Sequence, residues 1–134
     1  MTNNFKEDDS SLIYRIIDAN LNRLKEGIRV CEDIQRYYYN NKKLALELKE
    51  LRHLAKLSFS KELINSRDII NDPLKKSLKS ESIRKNVYQI SIANMKRAEE
   101  SSRVLEEILK LLDKNEAEKF KKIRYSLYDI EKRV

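Results

Sequence analysis

Two stretches of this 134-residue sequence carry one polar pattern at one spacing. Ala19-Asn20, Arg23, Glu26, Arg29-Val30 and Glu32 recur 74 positions later as Ala93-Asn94, Arg97, Glu100, Arg103-Val104 and Glu106. Asparagine offers a donor and an acceptor. Arginine presents a flat fork of donors that matches carboxylate and phosphate oxygens. Two other places hold residues suited to chemistry. Arg52 precedes His53, the sole histidine. The stretch Ser66-Arg67-Asp68-Ile69-Ile70-Asn71-Asp72-Pro73 sets an arginine and two carboxylates in an irregular segment. Arg67, Asp68 and Asp72 suit Mg²⁺ and a phosphate, because magnesium is taken by one or two carboxylates together with phosphate oxygens. The same residues also read as a capped turn ahead of the proline.

Composition narrows how such groups can work. The chain has one glycine, one proline, one cysteine and no tryptophan, and 38% of its residues are charged. A Walker loop or a dinucleotide fingerprint needs at least two glycines to bring backbone to phosphate. Any phosphate chemistry here therefore rests on side chains and helix ends. Turn-rich β folds are excluded for the same shortage of glycine and proline. No run of about 18 apolar residues exists to cross a membrane, and the polar, acidic start is unlike a signal peptide. Cys31 alone cannot form an internal disulfide, which fits a reducing cytoplasm. One histidine with one cysteine argues against structural zinc. The 29 basic residues exceed the 22 acidic ones, but the two signs are interleaved as on a solvated helix surface, so nucleic acid is not expected as a partner.

Helical elements must position these groups. Apolar period of about 3.6 runs through residues 12–39, 42–64, 83–112 and 116–132. One all-α domain over 1–134 is expected, with a first repeat at about 12–64, a loop at about 65–82 and a second repeat at about 83–132. Asp9, Ser10 or Ser11 can cap the first helix, and Asn40-Asn41 can end it. Leu51-Arg52-His53 recurs as Ile123-Arg124-Tyr125, 72 positions on. Four main helices, paired as two duplicated hairpins with approximate two-fold symmetry, follow from this self-similarity.

At about 100° per residue, Ile17, Leu21, Leu24, Ile28 and Cys31 share one core stripe. Asn20 and Gly27 fall on its edge and Arg23 just beyond. Gly27, with Ser101 in the duplicate, leaves a notch for a ligand or for a neighbouring helix crossed by an Asn20–Asn94 bond. Arg23 and Arg97 border that notch and suit an anion. Arg29, Glu32, Arg103 and Glu106 read instead as a surface ion ladder. Tyr37-Tyr38-Tyr39 straddles core and rim and reads as packing.

Arg15-Ile16-Ile17-Asp18-Ala19-Asn20-Leu21-Asn22-Arg23, Glu26-Gly27-Ile28-Arg29-Val30, Leu51-Arg52-His53, Arg67-Asp68 to Asp72, the second block from Ala93 to Glu107, and Arg124-Tyr125 together resemble one family over residues 12–132. It is the small all-helical hydroxymethylpyrimidine phosphate kinase family, whose domain often precedes thiamine-phosphate synthase in bacterial fusions. The resemblance implies transfer of phosphate from ATP to 4-amino-5-hydroxymethyl-2-methylpyrimidine phosphate, giving the pyrophosphate used in thiamine synthesis. On that reading Arg23, Arg97 and Arg52 surround the phosphates, and Asp68 and Asp72 hold Mg²⁺. Asn20 and Asn94 read the aminopyrimidine edge, Glu26 and Glu100 orient the arginines, and His53 and Arg67 contact substrate. The family's loop usually reads Gly-Asp-Val-Gly; Asn71-Asp72-Pro73 stands here without glycine. With the sequence ending at Val134, a stand-alone cytoplasmic enzyme is expected, linked in function to the synthase and compatible with a homo-oligomer. The alternatives are a non-catalytic binder of a phosphorylated pyrimidine, a helical module for a partner protein, and an RNA-binding bundle.

Overall fold

The computed structural model describes residues 7–68, 70–74 and 83–134. Five helices and no strand occur among them: α1 (Glu7–Asp33), α2 (Lys42–Leu54), α3 (Ser60–Ser66), α4 (Val87–Leu109) and α5 (Lys114–Glu131). The all-α expectation holds, with α1, α2, α4 and α5 as the four main helices. None of the helices is long and apolar enough to cross a membrane. The part of the expected loop at 75–82 lies outside the described residues.

Local chemistry sets most of the boundaries. α1 is already helical at Glu7, so Asp9, Ser10 and Ser11 lie inside it and do not cap it. Its last turn widens into a π-helical segment, Ile34–Tyr38, closed by Tyr39 N–H on Ile34 O at 3.1 Å. The wider turn changes the phase of the helix, so Gln35 is buried while Tyr37, Tyr38 and Tyr39 are exposed, against the packing role expected for them. Asn40 then takes a left-handed φ of 53°, which asparagine tolerates better than most residues. Asn41 caps α2 by accepting from Leu44 N–H at 3.1 Å. Asn86 caps α4 through Gln89 N–H, and Asp113 caps α5 through Asn115 N–H and Glu116 N–H.

The expected second helix, 42–64, is two helices. Ala55 leaves helical geometry at ψ 72°, and the chain turns so that Phe59 packs on Tyr14, ring centroids 5.4 Å apart. Burying Leu57, Phe59 and Leu63 against α1 outweighs continuing the α2 period.

α1 and α4 form the central pair. Cys31 Sγ reaches Ser91 O at 3.3 Å, while Gly27 faces Asn94 and Ala98, so the two helices run antiparallel. α2 and α3 pack on α1, and α5 packs on α4. The core stripe is buried as read, with Ile17, Leu24, Ile28 and Cys31 fully covered, and it merges with Leu48, Met95, Leu105, Phe120 and Leu127 into one core. Burial pushes the Cys31 thiol up to about 12, so it behaves as a small hydrophobe. No counterpart of α3 lies among the described residues of the second half.

Candidate functional site

The notch at Gly27 is filled by protein. A Cβ placed there would stand 2.9 Å from the Asn94 carbonyl oxygen and 3.3 Å from Ala98 Cβ. Glycine is needed because the α4 backbone occupies the space, so the neighbouring helix is its occupant and no ligand fits. Asn20 and Asn94 do not bond across this crossing. Each donates to its own helix four residues back, Asn20 to Ile16 O at 2.9 Å and Asn94 to Ile90 O at 2.8 Å.

The expected ion ladder is also redrawn. Glu32 and Glu106 are buried, and each takes an arginine from the next helix. Arg52 Nε meets Glu32 Oε1 at 2.8 Å, and Arg124 Nη2 lies 3.1 Å from both oxygens of Glu106. The hydrogen bond to Glu32 raises the pKa of Arg52 further, so its charge is permanent. Arg29 and Arg103 remain on the surface, Arg29 paired with Asp33 and Arg103 with Glu106 and Glu107.

A cleft of about 520 Å³ does bring sequence-predicted groups together. Its one wall is the α1 segment carrying Arg15, Asp18, Asn20 and Arg23. Its other is the loop carrying Arg67, Asp68 and Asp72. These segments, 49 residues apart, are tied by a two-pronged pair. Arg67 Nε donates to Asp18 Oδ2 and Arg67 Nη2 to Asp18 Oδ1, both at 2.8 Å. Asp18 is only 6% exposed, whereas the Arg67 side chain is 46% exposed and keeps an outer edge open. Arg15 Nη2 reaches Asp68 O at 3.3 Å and ties the loop to α1 a second time.

The carboxylates of the loop are turn caps as well as candidates. Asp68 accepts from Asn71 N–H at 3.0 Å and from Asn71 Nδ2 at 2.6 Å, and these bonds hold its carboxyl below the usual range. Asp72 accepts from Leu74 N–H at 3.0 Å. No group of three or more His, Cys, Asp or Glu side chains arranged to hold a metal occurs among the described residues. Two carboxylates suffice for Mg²⁺ only where phosphate oxygens complete its shell.

Free binding capacity in the cleft is specific. Arg23 is exposed and makes no hydrogen bond or ion pair among the described residues. Asn20 has given its amide N–H to Ile16, which leaves its Oδ1 as an acceptor. Arg97, Asn94, Arg52, His53, Glu26 and Glu100 do not line this cleft. Glu26 and Glu100 are exposed and form no ion pair with Arg23 or Arg97, so the orienting pairs expected of them are not made. Arg15 and Asp18 had no assigned role in the sequence. Asp18 and Arg15 fall about 100° and about 160° from Ile17, off the core stripe, where periodicity alone reads a charged residue as solvated.

Comparison with known proteins follows the same segments. A protein-family model described as the ThiD2 family matches residues 15–133. A Nostoc punctiforme protein named thiamine-phosphate synthase is 40% identical over 127 residues, covering 94% of this chain and 36% of its own length. A Synechocystis protein of the same name is 39% identical over 120 residues, covering 89% and 35%. One from Prochlorococcus marinus is 33% identical over 132 residues, covering 98% and 38%. The chain thus spans little more than a third of the curated relatives it matches. No solved structure matches it.

Proposed function

The chain belongs to the ThiD2 family, and from that premise we propose that it phosphorylates 4-amino-5-hydroxymethyl-2-methylpyrimidine phosphate from ATP. The product is the pyrophosphate consumed in thiamine biosynthesis by thiamine-phosphate synthase, the name its relatives bear. One observation carries the reading. α1 and the loop from Arg67 to Asp72, distant in sequence, meet in a single cleft through the Asp18–Arg67 pair, and that cleft holds the loop carboxylates Asp68 and Asp72 and an arginine, Arg23, with no partner among the described residues.

Phosphoryl transfer asks mainly for positioning and neutralised charge. The acceptor is a phosphate monoester, nucleophilic at neutral pH, so no strong base is required and none lines the cleft. Arg23 and the open edge of Arg67 take phosphate oxygens, Arg67 being aimed by Asp18. Asp68 and Asp72 would hold Mg²⁺, which supplies charge neutralisation to the phosphates. The free Oδ1 of Asn20 accepts from the ring's amino group. Arg52 serves to hold α2 on α1 through Glu32.

The deciding experiment supplies ATP with the pyrimidine phosphate, with and without Mg²⁺, and follows ADP. Mg²⁺-dependent ADP release matched by pyrophosphate ester is the expected result. A substrate-induced rise in melting temperature without any ADP would make the protein a binder and overturn the kinase.

A further inference from the structure

We propose that the cleft between α4 and α5 is a second ligand site, shaped for a chain of two or more phosphates with a flat ring against Tyr125. The cleft encloses about 540 Å³ and is lined by five cations and three carboxylates. Those acids are largely spent. Glu106 is taken by Arg124, and Glu107 by Lys110 at 2.9 Å and Arg103 at 3.3 Å. Lys114 and Lys121 have no carboxylate partner among the described residues, and only Glu118 on the rim opposes them. Seven residues apart on α5, these lysines share a face about 10 Å long. One phosphate satisfies one lysine; a phosphate chain reaches both.

The floor is preorganised. Arg124 is 7% exposed, fixed by Glu106 and by the Tyr128 hydroxyl at 3.4 Å. Its Nε is buried with no hydrogen-bond partner among the described residues. A cation already immobilised loses little entropy on binding. Its guanidinium lies 4.9 Å from the Tyr125 ring centroid, and that ring is half-exposed, which suits stacking of a heteroaromatic group.

The duplicate supplies an internal reference. Glu32, Arg36, Lys42, Ala45 and Lys49 are five of the seven residues lining a cleft of about 400 Å³ between α1 and α2. Each has its repeat counterpart in the α4–α5 cleft, at Glu106, Lys110, Lys114, Ala117 and Lys121. What the first half lacks is the floor and wall: Arg52 does not line its cleft, and His53 stands where Tyr125 stands. The antiparallel register also sets the α4–α5 cleft at the same end of the central pair as the Asp18–Arg67 cleft. Naming the ATP triphosphate as the occupant rests on the kinase reading; the oligophosphate chemistry does not.

Calorimetric titration with inorganic tripolyphosphate and, separately, with ATP tests the site. Lys114→Ala/Lys121→Ala, two exposed positions whose loss leaves the melting temperature unchanged, should weaken both by at least about tenfold. Lys42→Ala/Lys49→Ala should change neither by more than about twofold. Tyr125→Ala should weaken ATP alone, which separates a nucleotide from a bare phosphate chain. Tripolyphosphate binding that is unchanged in the α5 variant, or lost equally in the α2 variant, overturns the site. Failure of the kinase reading looks different: the wild type binds tripolyphosphate yet releases no ADP.

Discussion

The two halves of this molecule share a frame and differ in what is attached to it. In each, an asparagine bonds its own helix four residues back and a buried glutamate draws an arginine from the following helix. The Asp18–Arg67 cleft has no such echo, because Arg15 and Asp18 correspond to Gln89 and Ile92. The Glu32 and Glu106 ion pairs to the next helix are duplicated, whereas the Asp18–Arg67 tie that builds the first cleft is not. The packing frame constrains both copies alike, while a cleft wall is free to diverge.

The largest expected difference is in the ion pairs. Glu106→Ala strands Arg124, which is 7% exposed, and leaving a buried charge unpaired costs about 3–5 kcal/mol. Glu32→Ala releases the more exposed Arg52 toward water and costs about 1.5–2 kcal/mol. Denaturant unfolding of both variants reads the gap, and equal losses would erase it.

The helix crossing comes next. Gly27→Ala gains about 1 kcal/mol of helix propensity but forces α4 away from a 2.9 Å contact, which costs about 1–3 kcal/mol, for a net loss of up to about 2 kcal/mol. Ser101→Ala, the duplicate position, loses only a bond to Arg97 O and stays within about 1 kcal/mol. A stabilised Gly27→Ala would mean the crossing is looser than drawn.

The smallest effect is a pH dependence confined to the second half. Glu99 is 4% exposed beside Lys96 and Glu131, and burial pushes its carboxyl up to about 7; its counterpart is Lys25. Between about pH 4.5 and 7 the folded chain keeps a proton that the unfolded chain has released, so stability falls as pH rises. With Glu131 sharing the titration, the loss is on the order of 1 kcal/mol. Glu99→Gln should flatten melting temperature against pH across that window, and an unchanged slope would place the titration elsewhere.

Much of the frame was legible because it is local. The Ile17-to-Cys31 stripe, the stop at Asn40-Asn41 and the break at Asp113 all follow from period and capping within a few residues. The π-helical turn and the split after Leu54 were not, since each is set by what packs against it. Glu32 and Glu106 looked like ladder rungs because their neighbours at three residues are arginines; Arg103 does make that rung with Glu106, but the buried arginine partners, Arg52 and Arg124, lie about 20 residues away across a helix pair. Asn20, Arg23, Arg67, Asp68 and Asp72 could be singled out by residue type. That Asp18 joins them, and that Arg97 and Asn94 do not, depends on a long-range contact no spacing encodes.

The central claim is that phosphoryl transfer depends on Arg23 of α1 and not on its repeat counterpart Arg97, and the pair Arg23→Ala and Arg97→Ala tests it most directly. Single-turnover phosphoryl transfer should fall at least about 10²-fold in Arg23→Ala and stay within about threefold in Arg97→Ala, with both variants melting as the wild type does. Equal losses, or a larger loss in Arg97→Ala, would contradict the account.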